Sequence, residues 1–106
     1  MMGLAEVLTQ ARALVAKGWC QNSLRDEDRF CALGALYEAA SGGIENLGDA
    51  EDALDNLGDA EDALRNALEP AYQSVVHFND DQLTTQADVL RLYDRAIALI
   101  GGAAYQ

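Results

Sequence analysis

The ten residues Leu47–Asn56, LGDAEDALDN, recur almost unchanged as Leu57–Asn66, LGDAEDALRN. A tandem copy constrains the fold, because both copies have to bury the same residue types on the same side. Wound as one helix with Asp49 as origin, Leu47, Leu54, Leu57, Leu64 and Leu68 fall at about 160°, 140°, 80°, 60° and 100°. Asp49, Asp52, Asp55, Asp59 and Asp62 fall at about 0°, −60°, −120°, −80° and −140°. The leucines share one side and the aspartates the other. A ten-residue period drifts by about 80° per copy, yet both stripes survive the drift. The pattern predicts one amphipathic helix. The alternative is a break at Gly58, with Asp59 capping a second short helix; the single helix is the preferred reading.

The duplication also concentrates charge. Between Glu45 and Glu69 stand nine acids and one base, Arg65, so this segment carries a net −8 of the chain's −11. Such a charge repels DNA, RNA and anionic lipid at long range. Direct nucleic-acid binding and membrane association are therefore not expected. The natural electrostatic partner is a basic surface, such as the nucleic-acid channel of another protein.

With 106 residues the chain has the length of one domain, 1–106, with the repeat 47–66 inside it. Half the residues are apolar. Leu and Ala dominate them, which favours helix over sheet. The expected fold class is all-α: a single compact domain of four to five short helices, one of them the acidic repeat helix. No apolar run approaches the ~20 residues that span a bilayer. The first residues lack a basic stretch followed by a continuous apolar one, so no secretory signal is expected. Cys20 and Cys31 are then expected as free thiols, and the expected compartment is the cytoplasm of a bacterial host.

Leu4, Val7, Leu8, Ala11, Leu14 and Val15 recur at helical spacing and predict a helix over residues 3–17. Trp19 to Arg29 reads as a loop, with Asp26 or Asp28 as the next N-cap. Phe30 to Ala40 reads as a second helix, in which Gly34 suggests a close helix–helix approach. Beyond Pro70, residues 71–78 read as a short helix, or as an edge strand from Tyr72 to Phe78. Asn79-Asp80-Asp81 is a turn signal, and Thr85 with Asp88 resembles a capping box. Val89, Leu92, Tyr93, Ala96, Ile97 and Ile100 form the stripe of a last helix, ended by Gly101-Gly102.

Several segments in fixed order carry a family resemblance. They are Gly18-Trp19 before an acid-rich loop, Cys31-Ala-Leu-Gly-Ala-Leu36, Phe78-Asn79-Asp80, and Thr85 leading to Val89-Leu90. Together they resemble a small uncharacterised helical domain family of phage and bacterial genomes, over most of the chain except the repeat. The resemblance implies a helical fold and a mobile-element setting. It implies no established activity, so no functional residue is carried over.

Two constellations invite chemistry. Cys31, His77 and Asp80 or Asn79 could form a Cys–His hydrolase site, since a thiol near a helix N-terminus with a neighbouring base becomes nucleophilic. Against it, Cys31 sits in an apolar run typical of a core thiol, and no catalytic residue is assigned. No metal is expected, because carboxylates strung along one helix cannot converge on one ion. No phosphate loop or dinucleotide fingerprint is present, so no cofactor is expected. The acidic ridge is the remaining candidate: Asp49, Glu51, Asp52, Asp55, Asp59, Glu61 and Asp62.

Acids three or four positions apart on a helix lie roughly 5–6 Å apart. Successive phosphates of a nucleic-acid strand are on the order of 6–7 Å apart. The ridge is thus expected to imitate nucleic-acid phosphates before a basic nucleic-acid-binding protein, such as a CRISPR effector, in an anti-CRISPR or anti-restriction role. The plainer reading is the solvated face of an amphipathic helix. A third reading is a helical adaptor that docks through apolar contacts. Oligomeric state is left open by the sequence.

Overall fold

The computed structural model describes the backbone of residues 4–41, 50–70 and 72–104, and the side chains of residues 4–40, 58–70 and 72–100. Where apolar residues recur at helical spacing, helices form. α1 (Leu4–Lys17) buries Val7, Leu8, Ala11 and Val15 on one stripe. It closes at Gly18, whose N–H donates to Leu14 O at 3.2 Å. α2 (Ala32–Ser41) is apolar almost all round, and Ala32, Leu33, Ala35 and Leu36 are buried. α3 (Ala50–Ala67) runs without a break through Gly58, and it buries Ala60, Leu64 and Ala67. α4 (Val75–Asp80) is a single short turn-and-a-half, begun by Ser74, whose hydroxyl accepts from His77 N. α5 (Gln86–Ala104) buries Val89, Leu92, Tyr93 and Ala96.

α1 packs on α2 and α5, α3 packs on α2 and α5, and α4 leans on α2. The centre of the core is Tyr93, Leu8, Leu36, Leu64 and Leu92, each fully buried. Burying one such leucine contributes about 1.5–3 kcal/mol, so all four long helices are committed to one interior. Around it, Arg12 of α1 holds Asp94 of α5 at 2.6 Å. Gln86 of α5 donates to Val15 O at 2.7 Å, satisfying a carbonyl at the α1 C-terminus.

The expected all-α class needs one correction. Between α1 and α2 lies a small hairpin, β1 (Arg25–Asp26) with β2 (Arg29–Phe30), paired antiparallel with Asp26 opposite Arg29. Its two-residue turn places Glu27 at φ 56°, a conformation that sequence signals assign to glycine or asparagine. The hairpin displaces the expected N-caps Asp26 and Asp28. The residue before α2 is Cys31, whose Sγ accepts from Gly34 N at 3.2 Å.

Further details differ from the sequence pattern. Asn79 and Asp80 close α4 instead of forming a turn, and the edge-strand alternative for Tyr72–Phe78 is not adopted. α5 continues through Gly101-Gly102 to Ala104. Gly34 admits a loop, not a helix: a Cβ there would lie 1.9 Å from the Leu24 carbonyl oxygen. The Thr85–Asp88 capping box forms as expected, with Thr85 N donating to Asp88 Oδ2 at 2.9 Å and Asp88 N donating to Thr85 Oγ1 at 3.3 Å. Among the described residues no helix is long and apolar enough to cross a membrane.

The unbroken run of α3 through Gly58 carries a prediction. A Cβ at Gly58 meets nothing within 4 Å, and glycine inside a helix costs about 0.5–1 kcal/mol relative to alanine. Gly58→Ala is therefore expected to raise stability by about that amount, read as a higher urea midpoint. A break at Gly58 with left-handed backbone would make the same change destabilising.

Candidate functional site

The outer side of α3 is set by its inner side. Ala60, Leu64 and Ala67 turn into the core, which leaves Asp59 and Asp62 exposed to solvent. Glu61 is half-buried near Tyr37, whose phenol is pushed up first by burial and then by the Glu61 charge. The nearest base on α3 is Arg65, 3.9 Å from Asp62, and both groups are exposed. A pair of that kind contributes about 0–1 kcal/mol and neutralises little of the field. Of the other expected acids, Asp49 lies outside the described residues. Glu51, Asp52 and Asp55 lie on the backbone of α3, with their side chains outside the described set. No group of three or more His, Cys, Asp or Glu side chains among the described residues could hold a metal ion.

The Cys–His alternative finds little support in the arrangement of its residues. Cys31 is 3% exposed, and burial, the largest influence, pushes its thiol up despite hydrogen bonds from backbone N–H groups that lower it. A nucleophilic cysteine needs the opposite shift. His77 is exposed, and its Nδ1 accepts from Gln73 N at 3.4 Å. Among the described residues no hydrogen bond links His77 to Cys31.

Asn79 is the residue that sequence reasoning missed. It is wholly buried, and every hydrogen-bonding position of its amide is used. Oδ1 accepts from Trp19 Nε1 at 2.7 Å and from Ala32 N at 2.9 Å. Nδ2 donates to Cys20 O at 3.1 Å and to Asp80 Oδ1 at 2.9 Å. The geometry has a simple origin. Trp19 pairs with Phe30 in parallel register, with Phe30 N donating to Gly18 O at 3.0 Å and Cys20 N to Phe30 O at 3.2 Å. The next rung of such a ladder would run from Ala32 N to Cys20 O. The Asn79 amide is wedged into that rung and completes it from both sides. Gln21 Nε2 then reaches Asn79 O at 3.0 Å and Asp81 O at 2.9 Å, tying the loop after Trp19 to the end of α4. Gly18-Trp19, the cysteine before α2, Gly34 and Asn79-Asp80 thus meet in one structural knot. The one hint in the sequence is that all of them belong to the segments that carry the family resemblance.

A second surface feature lies between the end of α3 and the start of α5. Leu83, 86% exposed, borders a groove of about 280 Å³ that also meets Tyr72, Arg91 and Arg95.

Among known proteins, no curated protein and no solved structure matches the chain. One family does, over residues 2–99; it is described as a family of unknown function, DUF6197.

Proposed function

The chain belongs to this family of unknown function, and from that premise we propose that it is a non-enzymatic acidic inhibitor that imitates nucleic-acid phosphates. Its partner is a basic nucleic-acid-binding protein, in the most concrete version a defence complex or nuclease blocked in an anti-CRISPR or anti-restriction manner. The observation that carries the reading is the continuity of α3 beneath the duplicated acids. On an unbroken helix, positions 52, 55, 59 and 62 fall within an arc of about 80° and span about 15 Å along the axis. Asp59 and Asp62, at the described end of that row, are exposed. Like charges held in a row repel one another and cost stability. A basic groove built for phosphates removes that cost on binding.

Replacing Asp49, Asp52, Asp55, Asp59 and Asp62 together by Asn tests this. The variant is expected to keep its helical circular-dichroism signal and to melt no lower than wild type, because self-repulsion is relieved. It is expected to lose capture of a CRISPR effector or restriction nuclease by more than a hundredfold, about 2.7 kcal/mol. Equal capture by wild type and variant overturns the proposal.

The exposed Leu83 favours a second reading, a helical adaptor docking through apolar contacts. Salt separates the two, since apolar docking changes little with ionic strength and charge-led docking weakens steeply.

A further inference from the structure

A cleft between α4 and the loop after Trp19 combines apolar walls with a single charge. It measures about 230 Å³ and is lined by Asn22, Ser23, Leu24, Cys31, Val76 and Asp80. Leu24 and Val76 are 48% and 39% exposed, so two large apolar side chains stand in water beside it. The buried Cys31 behaves as a further small apolar surface. Of the six lining residues Asp80 alone carries a charge. Val76 and Asp80 stand four positions apart on α4, hence on one face of the helix. Along that face the cleft passes from apolar to anionic over about 6 Å.

The hydrogen bonds of Asp80 decide which cation fits. Oδ1 accepts from Asn22 N at 2.8 Å and from Asn79 Nδ2 at 2.9 Å. Those two donors occupy that oxygen. Oδ2 makes no hydrogen bond among the described residues. A guanidinium favours both carboxylate oxygens in a fork, which Oδ1 no longer offers. An ammonium is a compact point charge and needs one oxygen. Its aliphatic stem covers apolar surface while its head stays at the water. A divalent cation needs several oxygen ligands, and this cleft supplies one carboxylate.

We propose that this cleft is a binding site for a primary alkylammonium, filled by a lysine side chain of a protein partner. The stem lies between Leu24 and Val76, and the ammonium meets Asp80 Oδ2. That the lysine belongs to the basic partner of the acidic face rests on the function proposed above; the cleft's choice of cation does not. The two contacts differ in kind. The row of acids on α3 acts through charge, whereas the cleft adds apolar burial to its one ion pair and selects lysine over arginine.

The test follows the backbone amides of the whole chain by NMR during titration with n-butylammonium chloride at about pH 7, where the amine is charged. Saturating shifts are expected, confined to residues 22–24, 31 and 76–80. Uncharged n-butanol and forked n-butylguanidinium are expected to bind at least about tenfold more weakly. Asp80→Asn keeps an oxygen that can accept from Asn22 N and Asn79 Nδ2 and removes the charge; it is expected to weaken binding by at least about tenfold. Val76→Ser alters a wall that is already exposed, leaves the hydrogen bonds of Asp80 in place, and is expected to weaken binding by at least about threefold. Four results overturn the proposal: shifts that never saturate, shifts centred on Asp59 and Asp62, equal affinity for n-butylguanidinium, or an affinity that Val76→Ser leaves unchanged. None of them touches the five-aspartate test of α3, so the cleft and the phosphate mimicry fail separately.

Discussion

Asn79→Asp is expected to cost about 3–5 kcal/mol at neutral pH, the range for an uncompensated buried charge. That is a large part of the ~5–15 kcal/mol that holds a domain of this size. The change alters one atom. Oδ1 can still accept from Trp19 Nε1 and Ala32 N. The atom that replaces Nδ2 is now an oxygen facing Cys20 O and Asp80 Oδ1, two acceptors. A carboxylate there is repelled by both, in a position with no exposure to water. The introduced acid is therefore held above the ordinary carboxylate range in the folded state. The sign follows from that direction. The unfolded chain ionises the group at about pH 3.9 while the folded chain keeps it protonated to higher pH. The penalty relative to wild type is thus least below about pH 4 and grows as the pH rises. The protonated acid can also donate to Cys20 O in place of Nδ2. Urea unfolding of wild type and variant at several pH values reads this difference. A constant gap between the two would mean that the position is not buried as described.

Gly34→Ala is expected to cost at least about 2 kcal/mol, the opposite of the gain that alanine brings to an ordinary helix position. The added Cβ would lie 1.9 Å from Leu24 O and 2.7 Å from Leu24 C. These are backbone atoms, so no side-chain rotation relieves the clash. The loop has to lift, and with it goes the bond from Cys31 N to Leu24 O. The contrast with Gly58→Ala is the useful comparison. Two glycines inside helices of one chain are expected to respond to the same substitution with opposite signs. The difference lies wholly in what stands within 4 Å of each. Denaturation midpoints of the two variants, measured side by side, check it.

The long helices were legible because each carries its own buried stripe. Val7, Leu8, Ala11 and Val15 in α1, and Val89, Leu92, Tyr93 and Ala96 in α5, turn inward as their spacing predicts. The family resemblance was legible for a related reason: its segments are short, ordered and specific. Other features lay beyond local reasoning. The hairpin at Arg25–Phe30 has no glycine at its turn and no run of alternating residues, so neither usual strand signal is present. Asn79 lies in an Asn-Asp-Asp stretch that reads as a turn. Its true role depends on Cys20 and Ala32, 59 and 47 positions away, and no local pattern announces a ladder rung supplied by a distant side chain. The purpose of Gly34 was half legible. A close approach was foreseen, but a loop carbonyl fills the space, which requires knowing where Leu24 runs. For the acidic face, the period predicted a single helix, and Ala50–Ala67 is continuous. Asp49 lies outside the described residues.

Phosphate mimicry stands on charge, and charge has a signature that apolar docking lacks. The decisive experiment measures the affinity of the intact chain for a CRISPR effector or restriction nuclease across ionic strength from about 50 to about 200 mM, with duplex DNA as competitor. Mimicry predicts an affinity that falls by more than tenfold over this range, and displacement of the chain by DNA. An affinity unchanged by salt, with chain and DNA bound together, would contradict it.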